Sequence, residues 1–177
     1  IQLCNQIDVP LLFLHNITGF IVGTDFEQGG ITKNGSKMVN AVSNSTVPHI
    51  TVIVGASYGA GNYGMSGRAF GTKFTYIWPH SKIAVMGPAV MAGVMTIVGK
   101  GAAARRGIEL EEEADAKRAA FAEHWAEERS KGLYATSRVS DDGMIDPRDT
   151  RKVIAMSLSA CHNNTVKGTK EYGTWRM

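Results

Sequence analysis

Apolar runs of strand length, each followed by a turn and a helix-length stretch, constrain the fold of this chain more than any other feature. The first is residues 9–16 (VPLLFLHN) and the second residues 49–57 (HITVIVGAS), and a third passage contains residues 74–79 (FTYIWP) and 82–87 (KIAVMG). Helices are expected after them through residues 29–45, 61–70 and 88–99, with Pro48 ending the first and Pro88 beginning the last. Strands buried on both faces that alternate with helices predict a layered α/β fold.

The second half of the chain has a different pattern of charged and apolar residues. From Glu109 to Lys131 a charged stretch predicts an amphipathic helix, with one face formed by Leu110, Ala114, Phe121 and Trp125. A last helix is expected to begin at Asp149 or Thr150 and to bury Val153, Ile154, Leu158 and Cys161. The tail carries Tyr172 and Trp175, which we expect to dock on the domain or to contact a partner.

Length and cysteine spacing narrow the class of protein. A chain of 177 residues is long enough for one core, and its apolar runs are too short to span a membrane. Cys4 and Cys161 lie far apart in the sequence, which disfavours a metal site or a disulfide framework and is typical of a reducing compartment. The chain begins with Ile1 inside what looks like folded sequence, so we expect it to be part of a longer protein.

Charge is distributed unevenly along the sequence. No Asp or Glu occurs between Glu27 and Glu109, whereas eight basic residues do: Lys33, Lys37, Lys73, Lys82, Lys100, Arg68, Arg105 and Arg106. A site built in this window is expected to favour anions. The basic residues are scattered and few aromatic residues lie among them, which disfavours a nucleic-acid interface.

Residues 51–65 (TVIVGASYGAGNYGM) match three motifs at once. Gly55, Ser57 and Gly59 form G-x-S-x-G, the turn that exposes a nucleophilic serine in hydrolases. Gly59, Gly61 and Gly64 form G-x-G-x-x-G, which allows a backbone to approach a dinucleotide. In the third interpretation the glycines only free backbone N–H groups to face a developing negative charge.

The dinucleotide interpretation is the weakest of the three. It requires an acidic residue about 20 positions after the glycines to bind a ribose. The next acidic residue in this chain is Glu109. A phosphate-binding loop is also disfavoured, because no Gly-Lys-Ser/Thr follows the turn.

A serine hydrolase is the stronger alternative. Ser57 lies between a strand and a helix, and Asp141, Asp142 or Asp146 followed by His162 would keep the order serine, acid, histidine. His162, however, falls in the last predicted helix rather than on a loop. The remaining histidines, which are His15, His49, His80 and His124, occupy strand ends, a turn and the charged helix, where no catalytic role is indicated.

The backbone interpretation demands little of side chains. A strand, a glycine-rich turn and a helix N-terminus present free N–H groups and a partial positive charge that can hold an oxyanion. The acid-free window suits this interpretation, since a nearby carboxylate would repel an enolate or a carboxylated substrate.

Three long blocks carry a resemblance to a known family. They are residues 10–70 (PLLFLHNITGF to GMSGRAF), 78–87 (WPHSKIAVMG) and 141–163 (DDGMIDPRDTRKVIAMSLSACHN). Together they resemble the C-terminal part of the carboxyltransferase (beta) subunits of biotin-dependent acyl-CoA carboxylases. NITGF and GNYGM are most similar to the methylcrotonoyl-CoA branch of that family and unlike the propionyl-CoA branch, while residues 105–131 match only loosely.

The resemblance implies a crotonase-like α/β fold in which residues 1–177 are the C-terminal part of an acyl-CoA carboxyltransferase domain. The implied reaction moves a carboxyl group from carboxybiotin to an acyl-CoA, with 3-methylcrotonoyl-CoA as the favoured substrate and geranyl-CoA or another branched acyl-CoA as alternatives. Backbone N–H groups of Ala60 and Gly61 are expected to hold the biotin ureido oxygen. Gly19, Phe20, Tyr58 and Gly59 are expected to line the same biotin pocket, whereas the acyl-CoA oxyanion hole is expected in another domain.

The family also implies partners. Biotin is expected on a biotin carboxylase/biotin carrier (alpha) subunit, and the beta subunits are expected to form a homo-oligomer without contact to nucleic acid or membrane. No metal is expected in this chain. The resemblance also accounts for the lack of a protein base, because the biotin nitrogen can take the acyl-CoA proton when carboxybiotin loses its carboxyl group, so the protein mainly stabilises oxyanions. The expected location is the cytoplasm of a bacterium or the mitochondrial matrix of a eukaryote.

Overall fold

Parallel strands form the centre of the structure. A computed structural model describes residues 1–108 and 111–173. The strands are β1 (Leu11–Ile17), β2 (His49–Tyr58), β3 (Phe74–Ile77), β4 (Lys82–Ala84) and β5 (Gly143–Met144). The α-helices are α1 (Gln2–Gln6), α2 (Thr24–Gln28), α3 (Ile31–Asn44), α4 (Ala60–Gly64), α5 (Pro88–Arg105), α6 (Glu112–Ser130), α7 (Gly132–Ser137) and α8 (Thr150–Cys161). Short 3₁₀ turns lie at Arg68–Phe70 and Pro147–Asp149.

Strand β2 organises the sheet. Strand β1 pairs with one side of it, while β3 and β4 follow one another along the other side, and β5 adds to β3. Each of these ladders is parallel, as expected for strands that alternate with helices. Because β4 pairs only with Ala56–Tyr58, it supports the end of β2 from which the glycine-rich turn leaves.

The predicted burial of both strand faces holds for β2 but is wrong for β1. In β2, Ile50, Val52 and Ile53 are at most 1% exposed. In β1, Leu12 and Leu14 are 46% and 51% exposed. Strand β1 is at the edge of the described sheet, and its outer face opens on a groove toward α8 rather than on a covering helix.

Two of the predicted helices of the first half are confirmed and one is wrong. Helix α3 ends before Pro48, and α5 begins at Pro88 as expected. The helix expected over residues 61–70 is divided into α4 and the 3₁₀ turn that begins at Arg68. The division occurs at Ser66, whose φ of 59° cannot continue a right-handed helix.

The helices of the second half occur where they were expected, but their predicted buried faces are wrong. In α6, Phe121 and Trp125 are 69% and 42% exposed, whereas Asp115 and Ala126 are buried. Helix α8 follows Asp149 as predicted, but Ser157 is its buried residue. The four residues expected to be buried there, which are Val153, Ile154, Leu158 and Cys161, are half-buried. The expectations for Glu109, Leu110 and Trp175 lie outside the described residues.

Candidate functional site

The turn from β2 to α4 carries most of the residues expected in the site. Gly59 forms it with a φ of 59° and a ψ of −144°, a conformation that favours glycine. Its N–H donates to the carbonyl of Ala84 at the end of β4, with a distance of 3.1 Å. A Cβ at position 59 would lie 3.0 Å from the carbonyl oxygen of Val85. The turn is therefore fastened to β4 and has room only for glycine.

Backbone donors lie at the start of α4. Ala60 and Gly61 are its first two residues, and N–H groups in a first helical turn lack an acceptor within the helix. Among the described residues, no side chain caps this end of α4. The next N–H, that of Asn62, returns to the carbonyl of Gly59 at 3.1 Å. The N–H groups of Ala60 and Gly61 thus form a pair of donors suited to an anionic oxygen.

Gly61 lies against the segment that follows β1. A Cβ on Gly61 would overlap Cγ2 of Ile17 and would stand 3.7 Å from Cα of Gly19. Gly19 itself has a φ of 129°, which side chains rarely adopt. The NITGF and GNYGM segments, which are separated by more than 40 residues in the sequence, therefore meet through two glycines.

Two aromatic residues flank this contact. The Tyr58 ring lies beside Gly87 at the start of α5, with Cε2 3.7 Å from the position of a Cβ there. The Phe20 ring lies between Gly35 of α3 and Gly64 of α4, and Phe20 lines a cavity of about 260 Å³ with residues of α3. The structure thus brings Gly19, Tyr58, Gly59, Ala60 and Gly61 together, while Phe20 adjoins them with its ring on the α3 side.

Ser57 is buried beneath the turn and is completely inaccessible to solvent. Its Oγ lies 2.9 Å from Nδ1 of His15, and Nδ2 of Asn62 donates to the same Oγ at 2.8 Å. Nε2 of His15 lies 2.6 Å from the carbonyl oxygen of Met65. Burial lowers the pKa of His15, and the bond to Met65 opposes that shift only in part. His15 is thus held as a neutral ring in the protein interior.

This arrangement argues against the serine hydrolase alternative. A nucleophile elbow exposes its serine at the turn, whereas Ser57 is part of β2 and lies in the interior. The histidine beside it is His15 rather than His162, and its second nitrogen meets a carbonyl instead of a carboxylate. His162 lies at the end of α8, where its ring contacts the carbonyl of Leu158.

The candidate acids of that triad have other partners. Asp141 accepts a hydrogen bond from Thr136, and Asp142 pairs with Arg68. The Arg148 side chain beside Asp146 lowers the pKa of that carboxyl to about 2. The structure therefore does not assemble the triad that the order of residues suggested.

Sequence reasoning missed the roles of His15 and Asn62. The available signal was the alternation of side chains between the two faces of β1. This alternation places His15 on the same face as buried Phe13. A polar ring on the inward face of a strand needs a partner inside the protein. The partner could not be identified from the sequence, because the pairing of β1 with β2 shifts register between His15 and Ile17.

The positive charge of residues 28–108, the segment without Asp or Glu, is partly neutralised in the folded structure. Among the described residues, three of the segment's eight basic side chains pair with carboxylates from outside it: Arg68 with Asp142, Lys82 with Glu127, and Lys100 with Asp115. The hydrogen bond from Lys82 to Glu127 raises the pKa of that amine. Ion pairing therefore neutralises part of the side-chain charge in this part of the sequence.

Two other kinds of feature, a metal centre and a membrane-spanning helix, are absent from the described residues. Within residues 1–108 and 111–173, no three His, Cys, Asp or Glu side chains are grouped as metal ligands would be. In the same ranges, no helix has both the length and the hydropathy that crossing a membrane requires.

Comparison with known proteins gives consistent matches across the chain. The sequence profile of the carboxyl transferase domain matches residues 1–173. A probable biotin-dependent acyl-coenzyme A carboxylase beta2 subunit of Mycobacterium tuberculosis is 54% identical over 100% of this chain, which covers 34% of that protein. A probable mitochondrial methylcrotonoyl-CoA carboxylase beta chain of Drosophila melanogaster is 51% identical over 100% of this chain, which covers 30% of it. The chain therefore spans about a third of the length of these relatives.

Solved structures agree with the sequence matches. The beta subunit of geranyl-CoA carboxylase from P. aeruginosa superposes with a TM-score of 0.84 and is 40% identical, covering 99% of this chain and 33% of that chain. A transcarboxylase 12S structure, described as a hexamer assembly, superposes with a TM-score of 0.79 at 32% identity. That match covers 98% of this chain and 32% of the other.

Proposed function

This chain belongs to the carboxyl transferase domain family, and from that membership we propose that its protein transfers a carboxyl group from carboxybiotin to an acyl-CoA. Its parallel sheet and helices form the crotonase-like α/β fold of the superposed carboxylase subunits. We propose further that residues 1–177 are the C-terminal part of an acyl-CoA carboxyltransferase domain. The observation that carries the proposal is the pair of backbone donors, Ala60 and Gly61, at a turn built against Gly19.

The acyl group we favour is 3-methylcrotonoyl. Beta chains of methylcrotonoyl-CoA carboxylase from Drosophila melanogaster and Arabidopsis thaliana are 51% and 49% identical to this chain. The geranyl-CoA carboxylase subunit is less similar, at 40% identity. A branched, unsaturated acyl-CoA is common to both groups, and geranyl-CoA is the alternative substrate.

The turn fits a ureido oxygen on two grounds. Gly59 and Gly61 allow the turn to pack directly against Val85 and Ile17, which fixes the backbone donors in place. The donors lie at the N-terminal end of α4, where the helix dipole adds a partial positive charge. Gly19 and Tyr58 close one side of the turn, and Phe20 lies beyond them.

Carboxybiotin, when bound, would supply the carboxyl group and a ureido oxygen on which negative charge develops during transfer. The N–H groups of Ala60 and Gly61 would donate hydrogen bonds to that oxygen more strongly as its charge grows. Gly59, fastened to Ala84, would hold both donors in place without reorganisation during the reaction. No side chain of this chain needs to act as a base in this scheme.

The proposed enzyme extends beyond this chain. We infer that the acyl-CoA oxyanion hole lies in another domain, and that biotin arrives on a biotin carboxylase/biotin carrier (alpha) subunit. Helix α5 supports assembly with further copies of the beta subunit, because Val90, Ile97 and Val98 are each at least 58% exposed. The proposed location is the bacterial cytoplasm or the mitochondrial matrix, which suits the mitochondrial beta chains among the relatives.

A substitution at Ala60 tests the donor pair in the assembled carboxylase that carries this chain. Ala60→Pro removes one N–H at the first helical position, where proline fits a helix well. The rate of carboxyl transfer should fall by about a hundred- to a thousandfold, the usual cost of one oxyanion donor. Gly61→Pro is a less suitable change, since a side chain at position 61 would also strike Ile17.

Ala60→Gly is the matched control because it keeps the N–H, and it should reduce the rate far less than Ala60→Pro. Binding of acyl-CoA should survive in both variants, since the acyl-CoA hole is assigned to another domain. Normal transfer by the Ala60→Pro enzyme would show that this turn is not the oxyanion hole. The same assay with 3-methylcrotonoyl-CoA and geranyl-CoA decides between the two acyl groups.

A further inference from the structure

Three side chains and one carbonyl form a continuous hydrogen-bonded chain beneath the turn. It runs from Asn62 in α4 to Ser57 in β2, then to His15 in β1, and ends on the carbonyl of Met65 just after α4. The three links measure 2.8, 2.9 and 2.6 Å. Ser57 and His15 are both completely buried, so water does not compete for these bonds.

The donors and acceptors of this hydrogen-bonded network can be arranged in only one consistent order. The carbonyl of Met65 can only accept, so Nε2 of His15 carries the hydrogen and donates to it. Nδ1 of the neutral ring is then an acceptor and receives the hydroxyl hydrogen of Ser57. The Ser57 oxygen in turn accepts from the amide of Asn62. Every donor in the network therefore meets an acceptor.

This network ties the middle of α4, through Asn62, and the residue just after its end, Met65, to the sheet. Asn62 is one residue beyond the proposed donor at Gly61, and Met65 follows the last residue of α4. A five-residue helix has little stability of its own. Without these bonds, its orientation would depend on the Gly59 bond to Ala84, on packing against Ile17 and Gly19, and on the bonds of Ser66 to Thr51 and His49.

We infer that Asn62, Ser57 and His15 are positioning residues that orient α4 so that the N–H groups of Ala60 and Gly61 converge on one oxygen. The inference rests on the proposed function, because it assigns a catalytic purpose to the orientation of these donors. None of the three side chains touches the reacting atoms. They act through the backbone of residues 60–65.

The test uses the assembled carboxylase that carries this chain, with Ser57→Ala and Asn62→Ala as the disrupting variants. Ser57→Ala removes the centre of the network, and Asn62→Ala removes one end at a half-buried site where folding is at less risk. Ser57→Thr is the conservative variant, because it keeps the hydroxyl. Ser81→Ala is the matched control, because Ser81 is also buried and donates to a backbone carbonyl, that of Ile53.

Misplaced donors should lower kcat for carboxyl transfer by about ten- to a hundredfold in Ser57→Ala and Asn62→Ala. KM for acyl-CoA should change by less than about twofold, since only the biotin side is disturbed. The double variant should lose little more than either single variant, because the two residues act as a unit. Ser57→Thr should restore most of kcat, and Ser81→Ala should lower thermal stability without lowering kcat.

Amide hydrogen exchange over residues 60–65 gives a readout that is independent of activity. Exchange there should be faster in Ser57→Ala than in Ser81→Ala or the unmodified enzyme. Folded Ser57→Ala and Asn62→Ala enzymes with normal kcat, or with unchanged exchange over residues 60–65, would overturn the inference. If the unmodified enzyme transfers no carboxyl group, the proposed function fails, and the exchange result still decides whether the network orders α4.

Discussion

At the scale of single residues, His49 links protonation to stability. It is 3% exposed, and its ring nitrogens lie 2.7 Å from Oγ of Ser66 and 2.8 Å from Oγ of Ser45. Burial lowers the pKa of His49 from 6.5 to about 4, and nearby Lys73 adds to the shift. The folded protein therefore keeps this ring neutral at a pH where the unfolded chain binds a proton.

The pH dependence follows from the sign of that difference. Between pH 6.5 and about 4 the unfolded state holds more protons at this residue, so the free energy of unfolding should fall as the pH falls through this window. The complete titration of His49 should lower the free energy of unfolding by on the order of 3 kcal/mol. Burial also lowers the pKa of His15, which acts in the same direction.

Thermal melts of the His49→Gln variant at pH 7 and pH 5 test this link. The variant should be less stable than the unmodified protein at pH 7, because it loses well-placed bonds to two serines. Between pH 7 and pH 5, the variant should lose less thermal stability than the unmodified protein, because it lacks the titrating ring. His162→Gln, at an exposed site after α8, serves as the control. An equal acid-induced loss in His49→Gln and the unmodified protein would contradict the prediction.

At the scale of elements, local patterns in the sequence located strands and helices better than they located contacts. Strand β2, helix α3 and the start of α5 at Pro88 follow from apolar runs and proline positions. The break after α4 did not follow, because it depends on Ser66 holding a φ of 59° while its hydroxyl meets His49. Tertiary hydrogen bonds of this kind override a helical pattern.

The site was predictable to the same limited degree. Its glycines are visible in the sequence, and the family resemblance indicated which backbone donors to consider. The network of Asn62, Ser57 and His15 was not visible, because it requires the register shift between β1 and β2. The Gly61 contact with Ile17 likewise joins segments that only the folded sheet brings together.

Helix α5 is apolar around its whole circumference, which is typical of a helix that is buried in a larger assembly. In the described chain it packs on α6, and an apolar groove of about 820 Å³ lies between the two helices. Residues of both helices with large exposed side chains, Ile97, Val98, Phe121 and Trp125, lie on this pair. Water contact over such a surface is unfavourable. We therefore propose that this helix pair is covered in the proposed beta-subunit oligomer.

A charge placed on this surface should weaken assembly. Ile97 is 72% exposed in the described chain, so Ile97→Glu should leave the fold of the domain intact. In the oligomer the new carboxylate would lose water without a partner, and the oligomer should dissociate at concentrations where the unmodified enzyme stays assembled. Analytical ultracentrifugation measures the change. Glu123→Gln, on the exposed side of α6, is the control, and an Ile97→Glu enzyme with unchanged oligomeric state would remove α5 from the interface.

At the scale of the whole molecule, the described residues leave apolar surface uncovered on two sides. The α5 and α6 pair is one side. The other is a groove of about 690 Å³ between β1 and α8, where Leu12 and Leu14 face Ile154 and Leu158. The relatives are about three times as long as this chain, and the proposed active site needs a second oxyanion hole from another domain. Stability and activity are therefore expected to depend on more than these 177 residues.

Production of the 177-residue chain alone tests this dependence. The uncovered surfaces should drive association, and light scattering should report species larger than a monomer at micromolar concentration. Carboxyl transfer to 3-methylcrotonoyl-CoA should be undetectable, since the donor pair proposed at Ala60 and Gly61 would hold only one of the two oxyanions. A double substitution, Leu14→Lys with Ile97→Lys, places a charge in each uncovered surface and should reduce association while leaving the buried core of Ile53, Ile77 and Ala135 in place. A stable monomer from the unmodified chain would show that these surfaces do not require a partner, and carboxyl transfer by it would place both oxyanion holes within this chain.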